Sequence, residues 1–295
     1  MKKYFVIGSP SAKKLAINIA KKLDAKYLKT TLKVFPDGES KLTILGHTNK
    51  ETIIVVSSTG PPVDSNIIQT LSLIAKSREM SSEVITVIPY MGYAKQDKEF
   101  LKGEIVTISV IAKLFKAAGA TKLIVVDFHS PDALSFFKLP TKNLSAAPLF
   151  AKYFRKYKLQ NPIIIAPDTY WKDDAEKFAK YLNTTATALN KQRDRKTGKL
   201  LIKSPLPKFS KGRDLILYDD MVSSGGSILE AIKFLGKKNF RKIYVVCTHP
   251  VFVRDSEKKI RKAGVTEIIG TNSIEKKFSK VDLTEIICKA IQDWK

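Results

Sequence analysis

Two cysteines and three histidines are all that 295 residues contain. Cys247 and Cys288 are far apart in sequence, and Cys247 lies inside an apolar run. They read as reduced packing residues, which leaves no basis for a disulfide framework or a cysteine metal site. Long hydrophobic stretches are missing too. No apolar run approaches the roughly 20 residues of a membrane span. The basic start MKKYFVIGSP carries only YFVIG, too short for the hydrophobic region of a secretory signal. The expectation is a cytoplasmic protein without a membrane partner. Acidic residues are scarce, 28 against 52 Lys and Arg, giving a net charge of +24. Such an excess suggests polyanionic partners, either nucleic acid or phosphorylated metabolites. A Lys-rich, Ile-rich composition of the kind found in thermophiles produces the same number. The lysines are spread along the chain, with no zinc-finger spacing or basic heptad region. The sequence therefore argues against a specific nucleic-acid partner and for a local cationic cluster around an anion site.

Hydrophobic residues make up 44% of the chain, enough for two cores of ordinary size. Short β-rich runs alternate with helical patterns. The spacing predicts strands over 4–9, 52–58, 84–90, 122–128, 162–168, 185–190, 214–220, 242–249 and 267–271. It predicts helices over 11–23, 62–77, 107–119, 149–157, 171–182 and 227–238. Several strands are continuous aliphatic runs, as expected where both faces of a parallel sheet are covered. The fold class is α/β, built from right-handed strand–helix–strand units in mainly parallel sheets. The order repeats about a boundary near Ser145–Pro148, which predicts an internal structural duplication with domains 1–146 and 147–295. Ligands of such sheets bind beyond the carboxyl ends of the strands.

The most informative strand end is Ile216-Leu217-Tyr218-Asp219-Asp220-Met221-Val222-Ser223-Ser224-Gly225-Gly226-Ser227. An apolar strand stops at two carboxylates, turns through small residues and opens a helix. Backbone amides and hydroxyls of Ser223, Ser224, Gly225, Gly226 and Ser227 can surround a phosphate at the positive helix end. Asp219 and Asp220 can accept hydrogen bonds from vicinal ribose hydroxyls. The plainer reading is a tight turn with solvated acids, but two acids plus this loop exceed a turn's needs. Other strand ends carry chemistry as well. Asp168 follows IIIAP and suits a metal or a helix cap. Lys191, Arg193 and Arg195 fall in NKQRDRKTGKL, which reads as a basic β-hairpin. In the first half, Val125-Val126-Asp127-Phe128-His129 ends a strand in a histidine. Phe35-Pro36-Asp37-Gly38-Glu39 is a turn offering an aromatic and two acids, for a purine or simply for a hairpin. Tyr90-Met91-Gly92-Tyr93-Ala94-Lys95-Gln96-Asp97-Lys98 leaves a strand into a charged loop suited to a nucleotide phosphate or a subunit contact.

FPDGE, IPYMGYAKQDK, DFHS, APD, NKQR and DDMVSSGGS occur in an order and spacing that resembles the ribose-phosphate pyrophosphokinases, or phosphoribosyl diphosphate synthetases. THPVF (248–252) and TNSI (271–274) resemble later motifs of the same family. The likeness spans nearly the whole chain. It implies two domains of the type I phosphoribosyltransferase fold, the first for ATP and oligomer contacts, the second for ribose 5-phosphate and the catalytic hairpin. It implies transfer of the diphosphoryl group of ATP to the C1 hydroxyl of ribose 5-phosphate, with AMP leaving and Mg²⁺ as cofactor. Phe35, Asp37, Gly38 and Glu39 would hold the ATP nucleoside, from a neighbouring subunit, so a homo-oligomer with a dimer as minimal unit is implied. Lys95, Gln96 and Asp97 would lie along the ATP site. His129 would sit near the phosphates and, with Asp168, would bind the metal. Lys191 and Arg193 match the catalytic pair, Arg193 also meeting ribose 5-phosphate. Asp219 and Asp220 would meet the ribose hydroxyls, and Ser223, Ser224, Gly225, Gly226 and Ser227 the 5-phosphate.

The chain departs from the family pattern in three places. Lys95 stands where Arg is common, keeping charge but losing bidentate geometry. Thr169-Tyr170-Trp171 replace small, Gly-rich residues after Asp168, which raises the expectation of a narrowed pyrophosphate loop. Ser223 replaces an acid found in many members. Two other readings stay open: a phosphoribosyltransferase that consumes phosphoribosyl diphosphate, which typically needs only one such domain, and a non-catalytic regulatory homologue, which intact Lys191 and Arg193 disfavour.

Overall fold

The computed structural model describes residues 3–48, 50–193, 200–202, 212–236 and 239–294, and only the backbone for 191–193 and 200–202. The chain forms two compact units: Met1–Ser145 with Asn272–Glu275 and Asp282–Lys295, and Ala146–Thr271 with Lys276–Val281. Among the described residues no helix is long and apolar enough to cross a membrane.

Unit 1 contains β1 (Tyr4–Gly8), α1 (Lys13–Lys22), β2 (Lys26–Val34), β3 (Ser40–Leu45), β4 (Thr52–Val56), α2 (Val63–Met80), β5 (Val84–Val87), α3 (Thr107–Ala117), β6 (Lys122–Val126) and β7 (Thr141–Leu144). Its described strands form a seven-stranded sheet in the order β3-β2-β1-β4-β5-β6-β7. All neighbours run parallel except β2 and β3. The aliphatic runs Ile53–Val56 and Leu123–Val126 are fully buried, because helices cover both sheet faces. β2, β3 and β7 fall outside the strands the sequence pattern predicts. β2 and β3 read as KYLKTTLKV and SKLTIL, half solvated and rich in Lys and Thr, so they lack the aliphatic signature of the central strands.

The C-terminal helix α8 (Thr284–Gln292), also absent from the predicted pattern, packs on α1 in unit 1. Lys142 Nζ donates to the Ala290 carbonyl at 2.8 Å. Lys122 and Lys142 stand 5.5 and 4.8 Å from the Trp294 ring centroid, each contact worth about 0.5–1 kcal/mol where exposed.

Unit 2 contains α4 (Ala147–Phe154), β8 (Ile163–Ala166), α5 (Lys172–Leu182), β9 (Thr185–Ala188), β10 (Lys191–Arg193), β11 (Leu200–Ile202), β12 (Arg213–Met221), α6 (Gly226–Leu235), β13 (Phe240–His249), α7 (Ser256–Lys262), β14 (Glu267–Thr271) and β15 (Ser279–Val281). Its described main sheet has six parallel strands in the order β15-β14-β13-β12-β8-β9. β10 and β11 pair antiparallel as a separate hairpin. The predicted helix over 227–238 is α6 as far as Leu235; residues 237 and 238 lie outside the described residues.

An aromatic cluster anchors the central strand of unit 2. Tyr218 on β12 is fully buried, with ring centroids of Phe178 at 5.0 Å, Phe150 at 5.8 Å and Trp171 at 6.1 Å. Burial of such a ring contributes about 1.5–3 kcal/mol. It fixes the strand one residue before Asp219 and Asp220, so core packing sets where the acids stand.

Candidate functional site

Strand order alone singles out one crevice in each sheet, where neighbouring strands lead the chain in opposite directions. In unit 1 this switch point lies between β1 and β4. The chain itself closes it. Ser58 Oγ donates to the Ser273 carbonyl at 2.6 Å, and Ile274 Cδ1 lies 3.1 Å from the place a Cβ on Gly60 would take. Residues of the TNSI segment therefore fill the crevice of their own unit.

In unit 2 the switch point lies between β8 and β12, and it is built differently. β12 pairs with β8 only as far as Leu217↔Ile165, but with β13 as far as Met221↔His249. Asp219 and Asp220 therefore extend past the end of β8, at the border of the crevice. Both are buried, at 8% and 3% exposure. Asp219 Oδ1 accepts the Asp220 amide at 3.0 Å, and Asp220 Oδ1 accepts the Met221 amide at 2.7 Å. These short bonds hold two carboxylates at fixed angles, and each carboxylate oxygen can accept more than one hydrogen bond.

After Met221 the chain turns through Val222, Ser223, Ser224 and Gly225 into α6. Gly225 has φ +78°, the left-handed region that favours glycine. A Cβ there would also stand 2.9 Å from Ile260 Cδ1. Gly226 opens the helix, with only Ser224 Oγ near its missing Cβ, at 3.8 Å. The N-cap residue of this helix is Gly225, which has no side chain to close the end. Amides of the first turn have no intrahelical acceptor, so the end is suited to an anion. Behind the loop, burial pushes the Cys247 thiol far up, and the neighbouring Asp219 charge adds to the shift. That thiol is inert packing.

Asp168, at the end of β8, accepts the Tyr170 and Trp171 amides on Oδ1 at 3.1 and 3.3 Å. It caps the short 3-10 turn Thr169–Trp171. Oδ2 takes no hydrogen bond among the described residues. A hard carboxylate oxygen of this kind fits Mg²⁺, which commonly takes one or two protein carboxylates together with substrate phosphates. Among the described residues there is no group of three or more His, Cys, Asp and Glu side chains that could hold a metal. The bulky residues after Asp168 part company: Trp171 is buried against Tyr218, while Tyr170 stays 55% exposed. Only Tyr170 is left to narrow this loop.

Lys191 and Arg193 lie on β10, paired with Ile202 and Leu200 of β11. Residues 194–199, including Arg195, lie outside the described residues.

The remaining candidates belong to unit 1. Phe35–Glu39 joins β2 to β3 as a hairpin tip. The Phe35 amide donates to the Glu39 carbonyl at 2.9 Å, the Gly38 amide to the Phe35 carbonyl at 2.9 Å, and the Glu39 amide to Asp37 Oδ1 at 3.1 Å. Gly38 has φ +92°. Lys33 Nζ stands 4.8 Å from the Phe35 ring centroid. Asp37 and Glu39 are exposed, so the tip presents an aromatic and two acids outward. Lys95 and Gln96 help line a cavity of ≈ 540 Å³ with Lys98, Phe100, Glu104 and Thr107. Gln96 Oε1 accepts the Thr107 hydroxyl at 2.6 Å; Asp97 is not among the lining residues. His129 follows a tight exit from β6: Asp127 is buried with φ +39°, its amide donates to the Leu144 carbonyl at 2.8 Å, and the Phe128 amide donates to Asn143 Oδ1 at 3.1 Å. Left-handed backbone at non-glycine residues also marks Tyr93, Phe252 and Arg254. Such strain gathers at functional loops. Nothing local in the sequence signals it, and the segment 249–254 enters the site only through the fold.

Residues 4–119 match the N-terminal domain of ribose phosphate pyrophosphokinase, and residues 203–293 match the phosphoribosyl synthetase-associated domain. The chain is 34% identical to the ribose-phosphate pyrophosphokinase of Sulfurisphaera tokodaii, over 95% of this chain and 97% of that one. It is 32% identical to that of Methanobrevibacter smithii, over 98% and 100%. The crystal structure of phosphoribosylpyrophosphate synthetase from Mycobacterium smegmatis superposes with a TM-score of 0.86 at 23% identity, over 99% of this chain and 98% of that chain. That likeness shows the two-sheet α/β fold.

Proposed function

The chain belongs to the ribose-phosphate pyrophosphokinase family of enzymes, and from that premise we propose that it transfers the diphosphoryl group of ATP to the C1 hydroxyl of ribose 5-phosphate, giving 5-phosphoribosyl 1-diphosphate and AMP. The observation that carries this reading is the end of β12. Two buried carboxylates overrun the switch point of unit 2 and pass directly through a small-residue loop into a helix N-terminus whose N-cap is glycine. That arrangement complements a sugar phosphate: acceptors for two ribose hydroxyls beside donors for a phosphate.

The roles follow from charge. ATP and ribose 5-phosphate are both anionic and repel one another. Asp219 and Asp220 hold the ribose hydroxyls, while Ser223, Ser224, Gly225, Gly226 and Ser227 fix the 5-phosphate, so C1 is oriented before reaction. Asp168, assisted by His129, would hold Mg²⁺, whose charge would supply neutralisation of the phosphate oxygens. Lys191 and Arg193 stabilise the charge that develops as the C1 oxygen attacks the β-phosphorus and the α-phosphate leaves. Phe35, Asp37, Gly38 and Glu39 take the nucleoside of ATP, with Lys95, Gln96 and Asp97 along its site. In this reading the hairpin tip serves a second copy of the chain, which makes a dimer the minimal unit. In this reading the protein serves nucleotide biosynthesis in the cytoplasm.

AMP release from ATP, measured with and without ribose 5-phosphate in Mg²⁺ buffer, tests the reaction. AMP should form only with the sugar phosphate, and chelation of Mg²⁺ should abolish it. Formation of ADP, or no dependence on ribose 5-phosphate, would sink the assignment.

A further inference from the structure

We propose that Arg254 is an additional substrate-binding residue, supplying the cation that meets the phosphate of the sugar-phosphate substrate. The inference rests on the reading that the Ser223–Ser227 loop cradles that phosphate. The loop itself carries no positive side chain, and it follows two carboxylates, Asp219 and Asp220. A phosphate dianion placed there meets backbone and hydroxyl donors but also two like charges. A neighbouring cation would offset them.

The segment after β13 provides one. Beyond the last β12–β13 pair, residues 249–253 run alongside the loop. The Val222 amide donates to the His249 carbonyl at 3.2 Å, the Phe252 amide to the Val222 carbonyl at 2.8 Å, and the Val253 amide to the Ser223 carbonyl at 3.2 Å. Arg254 is the next residue, about 3.8 Å of chain further on. The rim of the loop is therefore fixed to the segment that carries Arg254.

Three observations set Arg254 apart. Its φ is +52°, and Phe252, two residues earlier, has φ +37°. Non-glycine residues hold this conformation at a cost, and it persists where the surroundings impose it. Arg254 is exposed, and it has no ion pair or hydrogen bond among the described residues. By contrast, nearby Lys258 pairs with Asp255, and Arg261 and Lys277 pair with Glu257. Finally, the loop beside this segment is lightly filled: among the described residues only Ser224 Oγ, at 3.8 Å, lies near the missing Cβ of Gly226. A guanidinium is the side chain best matched to phosphate oxygens, because its fork donates two parallel hydrogen bonds.

Arg254→Gly tests the proposal, because glycine accepts the left-handed backbone while removing the charge. The KM for ribose 5-phosphate, and its dissociation constant by calorimetry, should rise at least ~10-fold, the scale of one lost charge-assisted contact. The KM for ATP should stay within about 2-fold, and the melting temperature should hold or rise. Arg254→Lys should recover part of the loss. Affinity for ribose 5-phosphate should also fall less steeply with added salt in Arg254→Gly than in the wild type. A folded Arg254→Gly protein that binds ribose 5-phosphate as tightly as wild type would overturn the proposal, as would equal weakening toward both substrates. Should Arg254→Gly fail to fold, Arg254→Gln carries the same measurements. A wild-type protein that forms no AMP from ATP and ribose 5-phosphate would instead refute the assigned reaction, and the calorimetric comparison would still decide the role of Arg254.

Discussion

Replacing Gly226 by alanine should make the protein more stable and a poorer enzyme. Gly226 is the first residue of α6 and has ordinary helical backbone; among the described residues the one side-chain atom near an added Cβ is Ser224 Oγ, at 3.8 Å. The methyl group therefore fits the folded chain. It also restricts the unfolded chain, which stabilises by about 0.4–1 kcal/mol. For a chain of this size that is a rise in melting temperature of about 1–4 °C. The same methyl occupies space next to the first amides of the helix. A phosphate drawn off one such amide loses a charge-assisted hydrogen bond worth about 1.5–3 kcal/mol. At about 1.4 kcal/mol per decade, the KM for ribose 5-phosphate rises about 10- to 150-fold. Gly225→Ala provides the contrast. Its φ of +78° and a Cβ 2.9 Å from Ile260 Cδ1 make the change destabilising by about 1–3 kcal/mol. Thermal melts and initial-rate kinetics on both variants separate the two effects. A Gly226→Ala protein that is stabilised, active and unchanged in KM would show that no phosphate lies against this loop.

Lys191→Ala and Arg193→Ala should each lower turnover at least ~10²-fold while leaving ATP binding largely intact, the scale of one preorganised transition-state donor; near-normal turnover in both removes the hairpin from the mechanism. If the Phe35–Glu39 tip completes the nucleotide pocket of a second copy, inactive Asp37→Ala and Lys191→Ala proteins should regain activity when mixed, since one pocket of the mixed dimer carries neither lesion; verified subunit exchange without activity rules this out. Burial raises the Cys247 thiol and pushes Cys288 up to about 11, so both stay protonated at pH 8 and should resist an aromatic disulfide reagent until the protein is unfolded. Labelling of the folded protein at the rate of a free thiol would contradict that burial.

Much of the site was legible because its chemistry is local. Asp219, Asp220 and the loop to Ser227 are consecutive, and an apolar strand followed by acids, small residues and a helical pattern announces the turn together with the donors and acceptors it carries. The same holds for the tip Phe35–Glu39, where Pro36 and Gly38 declare the turn. The fold class was legible because runs such as Ile163–Ile165 and Val125–Val126 are aliphatic on both faces, which only a covered parallel sheet accommodates. The half-solvated strands β2 and β3 were not, since Lys and Thr at exposed positions carry little hydrophobic pattern.

Sequence by itself determined the central strands and the helices between them, which residue types stand at the strand ends, and the family. Those follow from short-range preferences and from motifs whose members are neighbours in the chain. Tertiary structure alone decided that β12 outruns β8, so that Asp219 and Asp220 border a crevice. It decided that residues around Ser273 and Ile274 close the equivalent crevice of unit 1. It sent Trp171 into the core while leaving Tyr170 outside, and it laid the Arg254 segment along the start of the Ser223–Ser227 loop. Each of these depends on which strands become neighbours and how far their pairing runs. That is set by packing among residues far apart in sequence, and no local preference encodes it.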